Sequence, residues 1–276
     1  MMQKTNRQLT SKTKIDVLIP VIEKDLKVLP FVIDGVRKNV KHPIENILIV
    51  APPSEKIKKL CRQKRCKFIN ENSVLPITKK DIKYRTNKWD RSGWLFQQLL
   101  KLSGDSLCSQ KFYLVIDADT VLIRPHRFRQ NQKTVFYCRN WSRAEYFRTY
   151  KKLMGKRATA PTYFVAHYML FEKSKVKKLK RTIAAKHNTS WYSAIIRSIN
   201  KSKQITFSEF ETYGNFIYAN YPGQFVIKKT LNRSLQRNVT NLTRLNTSRL
   251  AKKYRSISLH ARKWYFKRSQ TIKKHR

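Results

Sequence analysis

FYLVIDADTVLIRP, residues 112 to 125, decides how this chain is read. Five apolar or aromatic residues run straight into Asp117 and Asp119, and Arg124 with Pro125 stops the segment shortly after. The run is expected to be a buried strand with two carboxylates at its end. Side chains two apart on a strand point the same way, roughly 6.6 Å apart along it. At an effective dielectric of about 20, unit charges at that separation repel by about 2.5 kcal/mol. The chain has only 16 acidic residues against 61 basic ones, so such a pairing needs a compensating charge. Oxygen-only ligands suit Mg²⁺ or Mn²⁺, and such an ion, held by one or two carboxylates, completes its shell with waters and substrate phosphates. The plainer alternative is a turn after the strand, with Asp117 and Asp119 hydrogen-bonded to their own backbone or paired with Arg124.

Outward from this segment, IDVLIPVI (15 to 22) reads as a buried strand, LPFVIDGVRKNV (29 to 40) as a helix and ENILIVAPP (45 to 53) as a strand closed by prolines. A basic helix over 55 to 66 and a short strand at KFI (67 to 69) continue the alternation, which predicts a parallel, doubly wound sheet. In GWLFQQLLKLSG (93 to 104), Leu95, Leu99 and Leu102 share a helix face with Gln98 and Lys101 beside them, and Gly104 is expected to end the helix. VFYC (135 to 138) reads as a strand, EYFRTYKKLM (145 to 154) as a helix, and TYFVAHYMLFEKS (162 to 174) as strand material centred on His167. KVKKLKRTIAAK (175 to 186) is a basic amphipathic helix, and WYSAIIRSI (191 to 199) and FSEFETYGNFIYAN (207 to 220) are helical. Ligands of open α/β sheets bind at the carboxyl ends of strands, where Pro20, Val21, the 23 to 25 loop, Ala51 and the Asp117/Asp119 pair all fall. No glycine-rich phosphate loop occurs in this six-glycine chain, so phosphates must be met by metal and side chains.

A length of 276 residues with 41% apolar content supports a substantial core. The net charge of +45 suits nucleic acid, an anionic membrane surface or phosphorylated substrates, although its spread along a Lys-, Asn- and Ile-rich chain also fits compositional bias. Glu211 is the last acidic residue. Nucleic-acid or polyanion binding, with a structural carboxylate pair, is the alternative function; it rests on charge alone, without a helix-turn-helix, RNP or zinc-finger signature. A metal nuclease needs more dispersed carboxylates than this chain carries. The apolar stretches are strand-sized, and Asp16 and Pro20 break the first of them, so neither a transmembrane helix nor a signal peptide is expected. The expected location is cytoplasmic, or peripheral at the inner membrane face. Cys61, Cys66, Cys108 and Cys138 are too irregular for a disulfide framework or tight zinc knuckle and fit a reducing compartment. Asn-x-Ser/Thr triplets at 140, 188, 232, 238, 241 and 246 read as polar loop sequence.

An N-terminal strand ending in a proline, a βαβ opening and an apolar strand running into Asp-Ala-Asp together resemble the GT-A class of nucleotide-sugar glycosyltransferases. More closely, through five blocks in order, IDVLIPVIEKDLKVLP, RSGWLFQQLLKL, VIDADTVLIRP, HYMLF and FSEFETYGNF, the chain resembles a little-characterised microbial family of GT-A-like proteins over about residues 14 to 265. The resemblance implies a GT-A (Rossmann-like) α/β/α sandwich with a mainly parallel mixed sheet and a basic C-terminal extension. It implies one catalytic domain at 15–265, with a nucleotide-sugar half (15–125) and an acceptor half (126–265), between basic tails at 1–14 and 266–276. The implied activity is metal-dependent transfer of a sugar from a nucleotide-diphosphate donor to a hydroxyl acceptor such as a glycan or glycolipid, with Mn²⁺ or Mg²⁺ as cofactor.

Carried over by residue, Asp117 would touch the ribose or the metal, Asp119 would ligate the metal, and His260 in SISLH is the candidate for a later histidine ligand; a surface histidine is its alternative. The loop holding Pro20, Val21, Lys24 and Asp25 would cradle the base, with Gln97, Gln98 and Lys101 toward the donor. After Asp119 the carboxylates are Glu145, Glu172, Glu209 and Glu211, and the general base is expected at Glu209 or Glu211. Two apart on a helix, these face differently, so one reaches the site and the other pairs with a cation. His167 and Tyr213 are candidates for acceptor binding, and Trp89 and Trp94 for stacking, although such groups are commonly core residues. Basic stretches at 173–186 and 228–276 would suit an anionic or lipid-linked acceptor at a membrane face, at about 1 kcal/mol per near-surface cation.

Overall fold

The computed structural model describes residues 11–236 and 247–260. The expected C-terminal tail, the boundary at 265 and most of the N-terminal tail lie outside the described residues. Five strands form the central sheet in the order Tyr168–Glu172, Phe112–Ile116, Ile15–Pro20, Ile44–Ala51, Lys67–Asn70. All pair in parallel except Tyr168–Glu172, which runs antiparallel to Phe112–Ile116. The first strand is wholly buried, because helices cover both faces of a mainly parallel sheet.

Alternation sorts the side chains. Val17, Ile19, Leu114 and Ile116 join the core under helices Leu29–Asn39 and Glu55–Gln63, whereas Leu18, Tyr113 and Val115 face a second core. That second core is built on helices Ser92–Leu102, Ala144–Met154, Lys173–His187, Trp191–Ser198 and Glu209–Asn220. The result is an α/β/α sandwich. The chain builds outward from Ile15–Pro20 on one side and then returns to its other side as Phe112–Ile116, so the strand order reverses between them. A crevice opens at the carboxyl ends of two strands at such a switch point.

Two local expectations are corrected. Asp117 and Asp119 are not at strand spacing: the strand ends at Ile116, and Thr120 N–H donates to Asp117 O at 3.0 Å, closing a turn. The chain turns there because Thr120–Leu122 leaves the central sheet to pair antiparallel with Ser256–His260. His167 precedes the strand it was expected to centre, since the strand begins at Tyr168. Gly104 follows the end of the Ser92–Leu102 helix, as expected, and opens a short helical turn, Gly104–Leu107; a side chain there would overlap the Tyr113 ring.

Candidate active site

The switch-point crevice is a cavity of about 300 Å³. Its floor is the Asp117–Asp119 turn. Asp117 Oδ1 accepts from Lys101 Nζ at 2.6 Å, and its Oδ2 faces His167 Nδ1 at 3.1 Å. Asp119 Oδ2 faces His260 Nδ1 at 3.3 Å, and Thr120 Oγ1 donates to its Oδ1 at 3.3 Å. The two carboxylates keep 26% and 29% of their side chains exposed, so both remain open to a ligand. Arg124 pairs with neither of them; its guanidinium donates to Ala251 O. His260 arrives because Leu259 N–H donates to Asp119 O and because Ser256 and Ser258 stand opposite Leu122 and Thr120.

Lys101, nearly wholly buried on the Ser92–Leu102 helix, also donates to Glu209 Oε1 at 2.8 Å. One ammonium thus bridges two carboxylates. Burial disfavours its charge, but Asp117 and Glu209 outweigh that and hold its proton above the ordinary lysine range. Burial would raise Asp117, yet Lys101 and His167 hold its carboxyl below the usual range. Burial dominates at Glu209 and pushes its carboxyl up despite Lys101, since one cation cannot neutralise both partners. Burial, reinforced by Arg139, lowers His167 despite Asp117. A neutral His167 donating through Nδ1 leaves Nε2 as a buried atom without a partner.

Of the residues expected here, Pro20, Lys24, Asp25, Gln97, Gln98, Lys101 and Trp94 line the cavity, as do Asp117, Asp119, His167, Glu209 and His260. Val21 instead packs in the core. Tyr213 lies in the core against Phe171, with ring centroids 4.4 Å apart, and its hydroxyl accepts from Glu172 N–H, so it does not face the cavity. Trp89 packs edge-on against Tyr84. Glu211 turns away from the cavity, and neutral donors hold it rather than the expected cation: Ser142 Oγ, Phe164 N–H and Asn215 Nδ2. His167 contacts Asp117. Arg91, Arg139, Trp141 and Arg143, none of them among the candidate residues above, are also on the cavity wall. The only signal for the last three was the alternation Arg-Asn-Trp-Ser-Arg just past a strand end.

Among the described residues, no three His, Cys, Asp or Glu side chains gather into a set that could hold a metal ion. Two partly open carboxylates with His260 alongside do not make a protein-only site. They do fit an ion that takes the rest of its shell from water and substrate phosphates.

Residues 12–254 match the family of unknown function DUF6492. The chain belongs to DUF6492. No curated protein sequence matches this DUF6492 chain. Among solved structures, mouse xyloside xylosyltransferase 1 is similar at a TM-score of 0.50 and 11% identity, over 90% of this chain and 98% of that one. The bifunctional glycosyltransferase WbbM is similar at 0.49 and 13% identity, over 92% of this chain and 47% of that one; the DUF6492 chain thus spans about half of WbbM. The fold is the mixed α/β, GT-A-like architecture with a mainly parallel sheet. Among the described residues no helix is long and apolar enough to cross a membrane.

Proposed function

We propose that the cavity binds a nucleotide-diphosphate sugar across the Asp117–Asp119 turn and transfers its sugar to a hydroxyl acceptor. The carrying observation is the meeting of both carboxylates with His260 at the sheet's switch point, where an open α/β fold receives its ligand. Asp119 and His260 would hold a Mn²⁺ or Mg²⁺ ion, with Asp117 beside them. When bound, that ion supplies positive charge against the departing diphosphate.

The chain's own residues do the rest. Lys101 fixes Asp117 and Glu209 in one geometry, so the carboxylate floor is set before a ligand arrives. Arg91 and Arg139 on the wall favour a dianionic leaving group. Glu209, raised by burial and lining the cavity, is suited to take the proton of the acceptor hydroxyl.

A thermal-shift panel of nucleotide-diphosphate sugars, with and without Mn²⁺, tests the reading. A ligand at one hundred times its dissociation constant stabilises by about 2.7 kcal/mol. A gain that needs both sugar nucleotide and Mn²⁺ and vanishes in Asp119→Asn is the expected result; no gain with any donor would refute it.

A further inference from the structure

Glu211 does something other than chemistry. Its Oε2 accepts from Ser142 Oγ at 2.9 Å and from Phe164 N–H at 3.1 Å, and Asn215 Nδ2 steadies its Oε1. One carboxylate oxygen therefore ties together two loops that are far apart in sequence, and Arg139 N–H donating to Val165 O repeats the tie. The residue before each tethered position is an exposed aromatic: Trp141 at 42% and Tyr163 at 38%. They are two of the four large apolar side chains exposed among the described residues. Trp141 stands on the cavity wall with the Arg143 guanidinium over its ring, and Tyr163 packs against Phe147.

Beside this pair, the Ala144–Met154 helix and the loop after it expose Lys151, Lys152, Lys156 and Arg157. Lys186 lies against Gly155 and extends the cluster. From Arg139 to Phe171 the one acidic residue is Glu145, and Arg148 pairs with it. Amphipathic Trp and Tyr rings flanked by unopposed lysines match a surface that is wet, anionic and apolar just beneath.

We infer that this rim of the cavity docks on an anionic lipid surface, with Trp141 and Tyr163 in the headgroup layer and the 151–157 cations against the lipid phosphates. Glu211 positions the two rim loops for that contact. The docking face stands on its own observations. Its use, presenting a lipid-linked acceptor to the cavity mouth, rests on the transferase reading.

The test is sedimentation of the full chain with vesicles of phosphatidylcholine alone and of phosphatidylcholine with phosphatidylglycerol, with brominated phosphatidylglycerol as a fluorescence quencher. Binding to the mixed vesicles only is expected, with tryptophan quenching that is mostly lost in Trp141→Phe. Each near-surface cation is worth about fivefold, so joint Lys151→Gln, Lys152→Gln and Lys156→Gln should weaken binding about a hundredfold. The matched set Lys56→Gln, Lys59→Gln and Arg62→Gln, on the opposite helical layer, should change it by no more than about twofold. Equal losses from both sets, quenching that survives Trp141→Phe, or tighter binding to a single-stranded oligonucleotide through the same lysines would each overturn the proposal. Nucleotide-sugar thermal shifts on the same variants report separately on the donor site, so either reading can fail without the other.

Discussion

Asp117 and Glu209 share one ammonium: Lys101 Nζ lies 2.6 Å from Asp117 Oδ1 and 2.8 Å from Glu209 Oε1. The carboxylate floor of the cavity is thus tied to the helix that carries the candidate base, although the two residues are far apart in the chain. Removing the cation leaves a buried carboxylate uncompensated. Lys101→Met should cost about 3–5 kcal/mol, the usual penalty for breaking a buried ion pair from one side. Urea unfolding measures it, and adding Glu209→Gln should restore part of the loss. A single variant as stable as the parent would mean that the bridge is energetically idle.

Asp119 has no such bridge. Its carboxylate contacts are His260 and its own neighbour Thr120, both at 3.3 Å. Asp119→Asn should therefore abolish Mn²⁺-dependent nucleotide-sugar binding while leaving the unfolding midpoint nearly unchanged, within the ±0.5 kcal/mol of roughly neutral surface changes. Asp117→Asn should lose both binding and stability, because Lys101 and His167 lean on it. Calorimetric titration beside urea melts separates the two patterns.

Burial raises the Glu209 carboxyl, which shapes the pH profile. A base works only when ionised, so the transfer rate should fall as pH drops toward that raised value, above the ordinary carboxylate range. Glu209→Gln should slow transfer by the roughly 10²–10⁴-fold that general-base catalysis contributes and should erase this limb. A limb that persists unchanged in the variant would place the base elsewhere.

The strand running into Asp117 was legible because a continuous apolar run bounded by Arg-Pro is a local signal. That the strand ended one residue before the carboxylates was only the plainer alternative, because what favours the turn is distant: Thr120–Leu122 finds a partner in Ser256–His260. The same pairing carries His260 to Asp119, a contact that only the likeness to other proteins suggested. Glu209 lines the cavity and Glu211 does not, as their different facing on one helix led one to expect of a single member of the pair. That spacing could not show that Glu211 would be satisfied by Ser142 and the Phe164 amide, because those donors sit on loops without periodicity. Lys101 read as a cavity-facing lysine and does line the cavity; that it also bridges Asp117 and Glu209 was not legible, because both partners are distant in the chain.

Gly214 sits in the middle of the Glu209–Asn220 helix, where a Cβ would overlap the Phe164 ring. Glycine is tolerated there at a helix-propensity cost because Phe164 needs the space. Gly214→Ala should destabilise by about 1–3 kcal/mol through overpacking. The displacement would also pull the Phe164 amide from Glu211, loosening the rim. Hydrogen exchange at the Phe164 amide should rise in the variant, whereas unchanged protection there would separate the helix packing from the tether.

Two buried histidines outside the cavity should add to the loss of stability in acid. His42 Nε2 accepts from Phe128 N–H at 2.9 Å while Nδ1 faces Thr13 O, and burial lowers its pKa to about 4. His126 lies between Arg124 O, 2.7 Å from Nδ1, and the Tyr168 hydroxyl, 3.0 Å from Nε2, and burial lowers it to about 3. Both are neutral in the folded state, whereas the unfolded chain protonates them below about 6.5. The unfolded state therefore binds more protons as pH falls, so the stability these sites contribute is full above pH ~6.5 and drains as pH drops toward about 4 and then 3. At about 1.4 kcal/mol per unit, His42 is worth on the order of 3 kcal/mol and His126 on the order of 5 kcal/mol across their windows. Thermal unfolding should lose midpoint steadily from pH 7 to pH 4.5. In His42→Gln, whose amide can still accept from Phe128 N–H, the slope should shrink by about one titrating group, and an identical slope would mean that His42 is protonated in the fold.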